Sequence, residues 1–169
     1  MTLDDIKLKI SYYHKNQQTI TALYWLLKKF KLKTKNLKCF SFREAAKPNF
    51  ILMTTEGHFG APQVIKLPIN TFEFPLELML TLLAHELVHV SQKTVAPYVL
   101  DKNEREWQAY YEMLFRKIYP NLPEISNFHK KSFCVKALQY FHLMGENSLL
   151  RAKYLAQKKE IDLLLKTVS

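Results

Sequence analysis

Residues Pro75 to Gln92 read PLELMLTLLAHELVHVSQ, and their apolar side chains cover every face of a helical wheel rather than one stripe. Such a helix is buried. Between Glu77 and Lys93 its only ionisable residues are His85, Glu86 and His89. An unpaired carboxylate in that setting costs several kcal/mol or gives up its charge, so something must compensate. A divalent metal does so directly. Residues four apart share a helix face, so both imidazoles can address one ion, while Glu86, one residue off, reaches the ion's water instead. Zinc accepts imidazole and carboxylate ligands, lowers the pKa of its water to about 7 and keeps a position open for a substrate carbonyl. The competing reading is a core helix with two satisfied histidines and a surface glutamate. The lack of any other charge between Glu77 and Lys93 favours the metal.

A zinc site needs a further protein ligand. The pattern HExxHxxGxxH is excluded, because Gln92 and Val95 stand where its glycine and third histidine belong. The next helical segment, DKNEREWQAYYEMLF, offers three acids near its start. Asp101 reads as an N-cap and Glu104 as the return half of its capping box, which gives Glu104 a structural role. Glu106 lacks one. It shares a face with Ala109, Tyr110 and Met113, and Ala109 is small enough for close approach to the motif helix. Glu106 is therefore the first choice, Glu104 the second and Asp101 the third.

HELVHVSQ followed by EWQAYYEML resembles the gluzincin type of HExxH metallopeptidase, in which a glutamate from the following helix completes the site. It is similar in particular to small bacterial and phage zincins, including relatives of the repressor-cleaving type, whose helix reads ExxAxxF or ExxAxxY. The resemblance spans roughly residues 63 to 115. It implies His85, His89 and Glu106 as zinc ligands and a zincin-like fold. It also implies an edge strand upstream of the motif helix that aligns substrate by strand addition, for which Pro62 to Leu67 is the candidate. The chain lacks the NExxxD form of the thermolysin-like helix.

Around the motif the pattern is α+β: N-terminal helices and a small sheet, the HExxH helix, a ligand-bearing helix and two C-terminal helices. Thr2 and Asp5 suggest a capping box, and Thr19 a cap for a second helical segment. Strands are expected at Leu37 to Phe42, Phe50 to Thr55 and Val64 to Leu67, with Gly57, Gly60 and Pro62 marking the turn between the last two. Further helices are expected from Lys102 to Tyr119, stopped by Pro120, then from Phe128 to Met144 and from Ser148 to Lys166. The 169 residues, 48% of them hydrophobic, make one domain spanning 1–169 the expectation. Cys39 and Cys134 form no CxxC pair and read as ordinary buried thiols. With neither a secretory h-region nor an apolar span, the expected compartment is the cytoplasm.

The net charge of +10 is uneven: residues 1–48 carry 11 Lys and Arg against 3 Asp and Glu, whereas residues 49–100 carry 2 against 4. Lys28, Lys29, Lys31, Lys33, Lys35 and Lys38 form a basic run that reads as a solvated face, with weak nucleic-acid contact as the other reading. The expected activity is zinc-dependent hydrolysis of peptide bonds in a peptide or protein substrate. Zinc-bound water attacks the carbonyl, with Glu86 as general base passing its proton to the leaving amine. The alternative is a catalytically silent zincin fold serving as a basic nucleic-acid- or protein-binding module. Retention of Glu86 speaks against that, since a structural site needs only ligands. Tyr110, Tyr98, His58, His129 and His142 could all donate to an oxyanion, and no spacing selects among them. Tyr24, Trp25, Trp107, Tyr140 and Phe141 fall at helical spacing and read as core.

Overall fold

The computed structural model describes residues 1–33 and 35–168. These form an α+β arrangement of seven helices and a three-stranded sheet. At the N-terminus Thr2 accepts the Asp5 amide while Asp5 accepts the Thr2 amide, closing the capping box that starts α1 (Leu3–Lys15). Gln17, at φ 56°, breaks the chain before α2 (Thr19–Lys29). Thr19 is the first residue of α2 rather than its cap, and Gln18 holds the cap position without a side-chain bond.

The sheet consists of β1 (Leu37–Arg43), β2 (Thr54–Glu56) and β3 (Gln63–Pro68) in the order β1-β3-β2. Here the structure corrects the edge-strand expectation. The segment Pro62 to Leu67 supplies the central strand, parallel to β1 and antiparallel to β2, so the edges are β1 and β2, and β2 is the one whose Thr55 reaches Glu86. Gln63, Ile65 and Leu67 are fully buried, alternating along β3 as the pleat requires. β2 is shorter than its apolar run suggested, because only Thr54, Thr55 and Glu56 pair with β3. The turn from β2 to β3 is held by Gln63, whose Nε2 donates to the carbonyls of His58 (2.7 Å) and Ala61 (2.6 Å). That amide lies against Gly57, which adopts φ 146° and where a Cβ would meet Gln63 at 2.7 Å.

Helix α3 (Leu76–Thr94) carries the HELVH motif and packs with α1, α2 and the sheet in one apolar cluster. Helix α4 (Lys102–Phe115) stands between this cluster and a second one. Its Ala109 joins the first, whereas Trp107, Tyr111 and Leu114 pack on Cys134, Ala137 and Phe141 of α5 (Asn127–Leu143) and Ile161 of α7 (Leu155–Thr167). Ala109 is fully buried, which is how α4 comes close enough to α3 to share a cleft with it. Helix α6 (Leu149–Lys153) is a single short turn capped by Ser148. The break at Tyr154 splits the expected C-terminal helix in two.

Helix α4 ends at Phe115, four residues before the expected Tyr119, with Arg116 in the left-handed region. The cause is Glu112. Its carboxylate accepts the amides of Ile118 (2.8 and 2.9 Å) and Tyr119 (2.8 Å), which removes them from any continuing helix. Glu112 is 3% exposed, so these amides have no ready replacement acceptor. Glu112→Ala should lower unfolding stability by about 2–3 kcal/mol, read as a shifted urea midpoint, because two amides lose a charged acceptor. Glu112→Gln should fall between the two.

Candidate metal centre

The side chains of His85, Glu86 and His89 are all buried, and their metal-competent atoms lie within 4.8 Å of one another. The two imidazole Nε2 atoms are 3.0 Å apart. Glu106 enters from α4, with Oε2 3.4 Å from His85 Nε2 and Oε1 3.6 Å from His89 Nε2. It comes in over the small residue Ala109, on the helix face predicted to meet α3. Glu104 and Asp101 do not join them. Asp101 caps α4 by accepting the Glu104 amide, at 2.8 Å. The Glu104 carboxylate does not return to Asp101 but turns to the Tyr154 hydroxyl and to Lys153 Nζ, 2.8 Å away. The capping-box role assigned to Glu104 is thus replaced by a tether between α4 and the C-terminal helices.

The hydrogen bonds around the histidines decide which nitrogens face inward. Gln92 Nε2 donates to the Arg105 carbonyl (3.0 Å) and to Gln108 Oε1 (2.9 Å), so its Oε1 is the atom facing His89 Nδ1, at 2.7 Å. An amide oxygen only accepts, and His89 Nδ1 therefore carries the proton and leaves Nε2 as a lone pair. His85 Nδ1 meets the Met113 thioether at 3.0 Å, another group that only accepts, with the same result. Two lone pairs and a carboxylate consequently converge on one point with no donor between them. A cation satisfies all three.

Size agrees with charge. Tetrahedral zinc with ligand bonds of about 2.0–2.1 Å sets its ligands about 3.3–3.4 Å apart, and the three separations here, 3.0, 3.4 and 3.6 Å, bracket that spacing. The partners of both Nδ1 atoms would fix ring orientation as the outer shell of a metal site does. Burial and the neighbouring His85 push His89 well below the ordinary imidazole pKa, so it stays neutral and ligand-competent. Burial pushes the Glu106 carboxyl up, but its position beside His85, His89 and Lys102 outweighs this, and it ends below its ordinary value.

Glu86 is 5% exposed, and burial raises its carboxyl above the ordinary range despite the pull of His85 and Thr55. Its Oε2 accepts from the Thr55 hydroxyl on β2, at 2.8 Å, which aims the carboxylate across the cleft. The cleft, of about 340 Å³, runs between α3, β2 and α4 and includes Ile51, Leu52 and Tyr140 in its walls. Of the five residues able to donate to an oxyanion, Tyr110 alone lines it. The Tyr110 ring packs edge-on to His85, with centroids 4.8 Å apart, and burial raises its phenol pKa, so the hydroxyl remains a donor. His58 and Tyr98 are exposed on loops, His129 pairs with Ser126, and His142 lies beside Arg151.

Tyr140 is a cleft residue stacked on Tyr110, not a core residue, and Tyr24 is 45% exposed against Phe40. Thr55, Gln92 and Lys93 were not anticipated at the site. Only Gln92 left a signal, as the residue that excluded the longer histidine pattern. The six N-terminal lysines are all exposed, and none lines the cleft. Among the described residues no helix is long and apolar enough to cross a membrane. No family model, curated protein or solved structure matches this chain.

Proposed function

We propose that this chain is a zinc-dependent metallohydrolase cleaving peptide bonds, with His85, His89 and Glu106 as zinc ligands and Glu86 as general base. The observation that carries the reading is the convergence of two inward lone pairs and a carboxylate at tetrahedral spacing, with a second, independently held carboxylate beside them. A structural site would need no such neighbour, and among the described residues no fourth ligand closes the position facing the cleft. Zinc held there supplies Lewis acidity towards a carbonyl and acidifies water.

The chain's own residues do the rest. Glu86, aimed by Thr55, takes a proton from the attacking water and returns it to the leaving amine. Tyr110 donates to the oxygen on which negative charge develops. The free edge of β2 offers main-chain groups to an extended peptide, with Ile51 and Leu52 as apolar contacts for its side chains. This combination of HExxH helix, antiparallel edge strand and glutamate-bearing helix supports a zincin-like reading of the fold.

Purified protein should contain about one zinc per chain by elemental analysis, since one set of three ligands takes one ion. It should also cleave members of a mixed peptide library, with activity removed by chelation and restored by zinc. A protein that takes up no zinc at neutral pH would falsify the assignment.

A further inference from the structure

The face that α3 turns to the cleft changes character along its length: Leu82, then His85 and Glu86, then His89, then Lys93. Lys93 is joined by Lys102 and Arg105 of α4, so three cations line the cleft beyond His89. Among the described residues none of them forms an ion pair. Lys93 Nζ donates to the Thr55 carbonyl at 2.7 Å, and Arg105 Nη1 donates to the carbonyls of Val99 (3.0 Å) and Leu100 (2.7 Å). These acceptors are neutral. They fix the two cations in place without cancelling their charge, and donor capacity is left over on both groups. Of the carboxylates nearest in sequence, Asp101 caps α4 by accepting the Glu104 amide, Glu104 turns to Lys153 and Tyr154, and Glu106 to the histidines. The opposite end of the cleft, at Ile51, Leu52 and Met53, carries no charge.

We propose that Lys93, Lys102 and Arg105 form a subsite for a substrate carboxylate, which makes this a peptidase for substrates with an acidic group on one side of the cleaved bond and an apolar residue on the other. The inference rests on the peptidase reading given above. Helix geometry sets the distance. Lys93 lies four residues beyond His89, about 6 Å along the axis, and an extended peptide covers that in about two residues. The carboxylate therefore belongs to a position about two residues from the bond cleaved. It is either the free C-terminus or an Asp or Glu side chain, and both present the same pair of oxygens to the three cations.

The test uses three peptides of one sequence, with an apolar residue before the cleaved bond: one with a free terminal carboxylate at the position concerned, one amidated and neutral, one amidated with Glu there. Cleavage is followed on zinc-loaded protein, and binding of fluorescently labelled copies on the Glu86→Gln protein. At least one carboxylate peptide should be favoured over the neutral one by about tenfold or more, the effect of a single charge-assisted contact. Lys93→Met with Lys102→Met should bring that ratio close to one. Lys102→Met alone, at an exposed position, should lower it without endangering the fold.

Preference for the free terminus alone identifies a carboxypeptidase-type subsite, and preference for Glu an acidic side-chain pocket. No preference in either assay, or a preference that survives in the double variant, overturns the proposal. Cleavage without preference leaves the peptidase reading standing while this proposal fails. Carboxylate-selective binding that the double variant loses, with no cleavage of any peptide, supports the subsite and counts against the peptidase.

Discussion

Replacing Glu86 with Gln should lower peptide hydrolysis by at least about two orders of magnitude, as loss of a general base does, while zinc content and fold stay as in the parent. The two halves of that expectation come from different atoms. Glu86 holds its orientation through the Thr55 hydroxyl, 2.8 Å from Oε2, and the amide oxygen of Gln can accept that same bond. The side chain should therefore keep its place in a pocket whose shape has not changed. It loses the ability to accept a proton at neutral pH. Zinc retention follows because the three closest donors, on His85, His89 and Glu106, are untouched. Activity is measured on a mixed peptide library by mass spectrometry, with parent and variant matched in zinc. Equal cleavage by both would remove Glu86 from the mechanism. A variant that loses its zinc would make Glu86 a ligand rather than a base.

How much of this was legible beforehand depends on whether the information was local. The HELVH helix and its burial could be read directly, because a run of apolar residues on all faces and a four-residue histidine spacing are both properties of one helix. The position of Glu106 beside the histidines could be read because it and Ala109 lie on one face of the next helix, and the small residue marks where that helix must come close. Thr55 could not. It meets Glu86 across 31 positions of sequence, and threonine is too common for its presence in a strand to signal anything. The strand order was hidden for a similar reason: alternation along Gln63 to Leu67 reports which face is buried, not which strands lie on either side. The early end of α4 depends on a carboxylate reaching forward to two amides, which no helix-stop residue announces. The basic end of the cleft is assembled from two helices in a chain whose positive charge is concentrated elsewhere, so bulk charge pointed away from it.

Glu106→Ala should weaken zinc binding by more than about 100-fold, whereas Glu104→Ala should leave it within a few-fold of the parent. Removing even an outer-shell partner of a metal ligand typically costs about 10–100-fold, and in the proposed site Glu106 supplies one of three donors. Its two oxygens face both histidines, at 3.4 and 3.6 Å, and without them the inward lone pairs of His85 and His89 would have to hold the ion alone. Glu104 stands two residues earlier on the same helix and faces another way, towards Tyr154 and Lys153. Its loss should appear as about 1–2 kcal/mol of unfolding stability, the worth of a hydrogen bond to a charged group in a half-buried position, because α4 would lose its tie to the C-terminal helices. Competition with a chromogenic chelator measures the first effect and urea unfolding the second. The two variants therefore separate a ligand from a tether on different faces of one helical turn. If Glu104→Ala lost the zinc and Glu106→Ala kept it, α4 would have to be rotated from the orientation that Ala109 and Trp107 give it. A loss from both would mean that zinc binding depends on the placement of the whole helix rather than on one carboxylate.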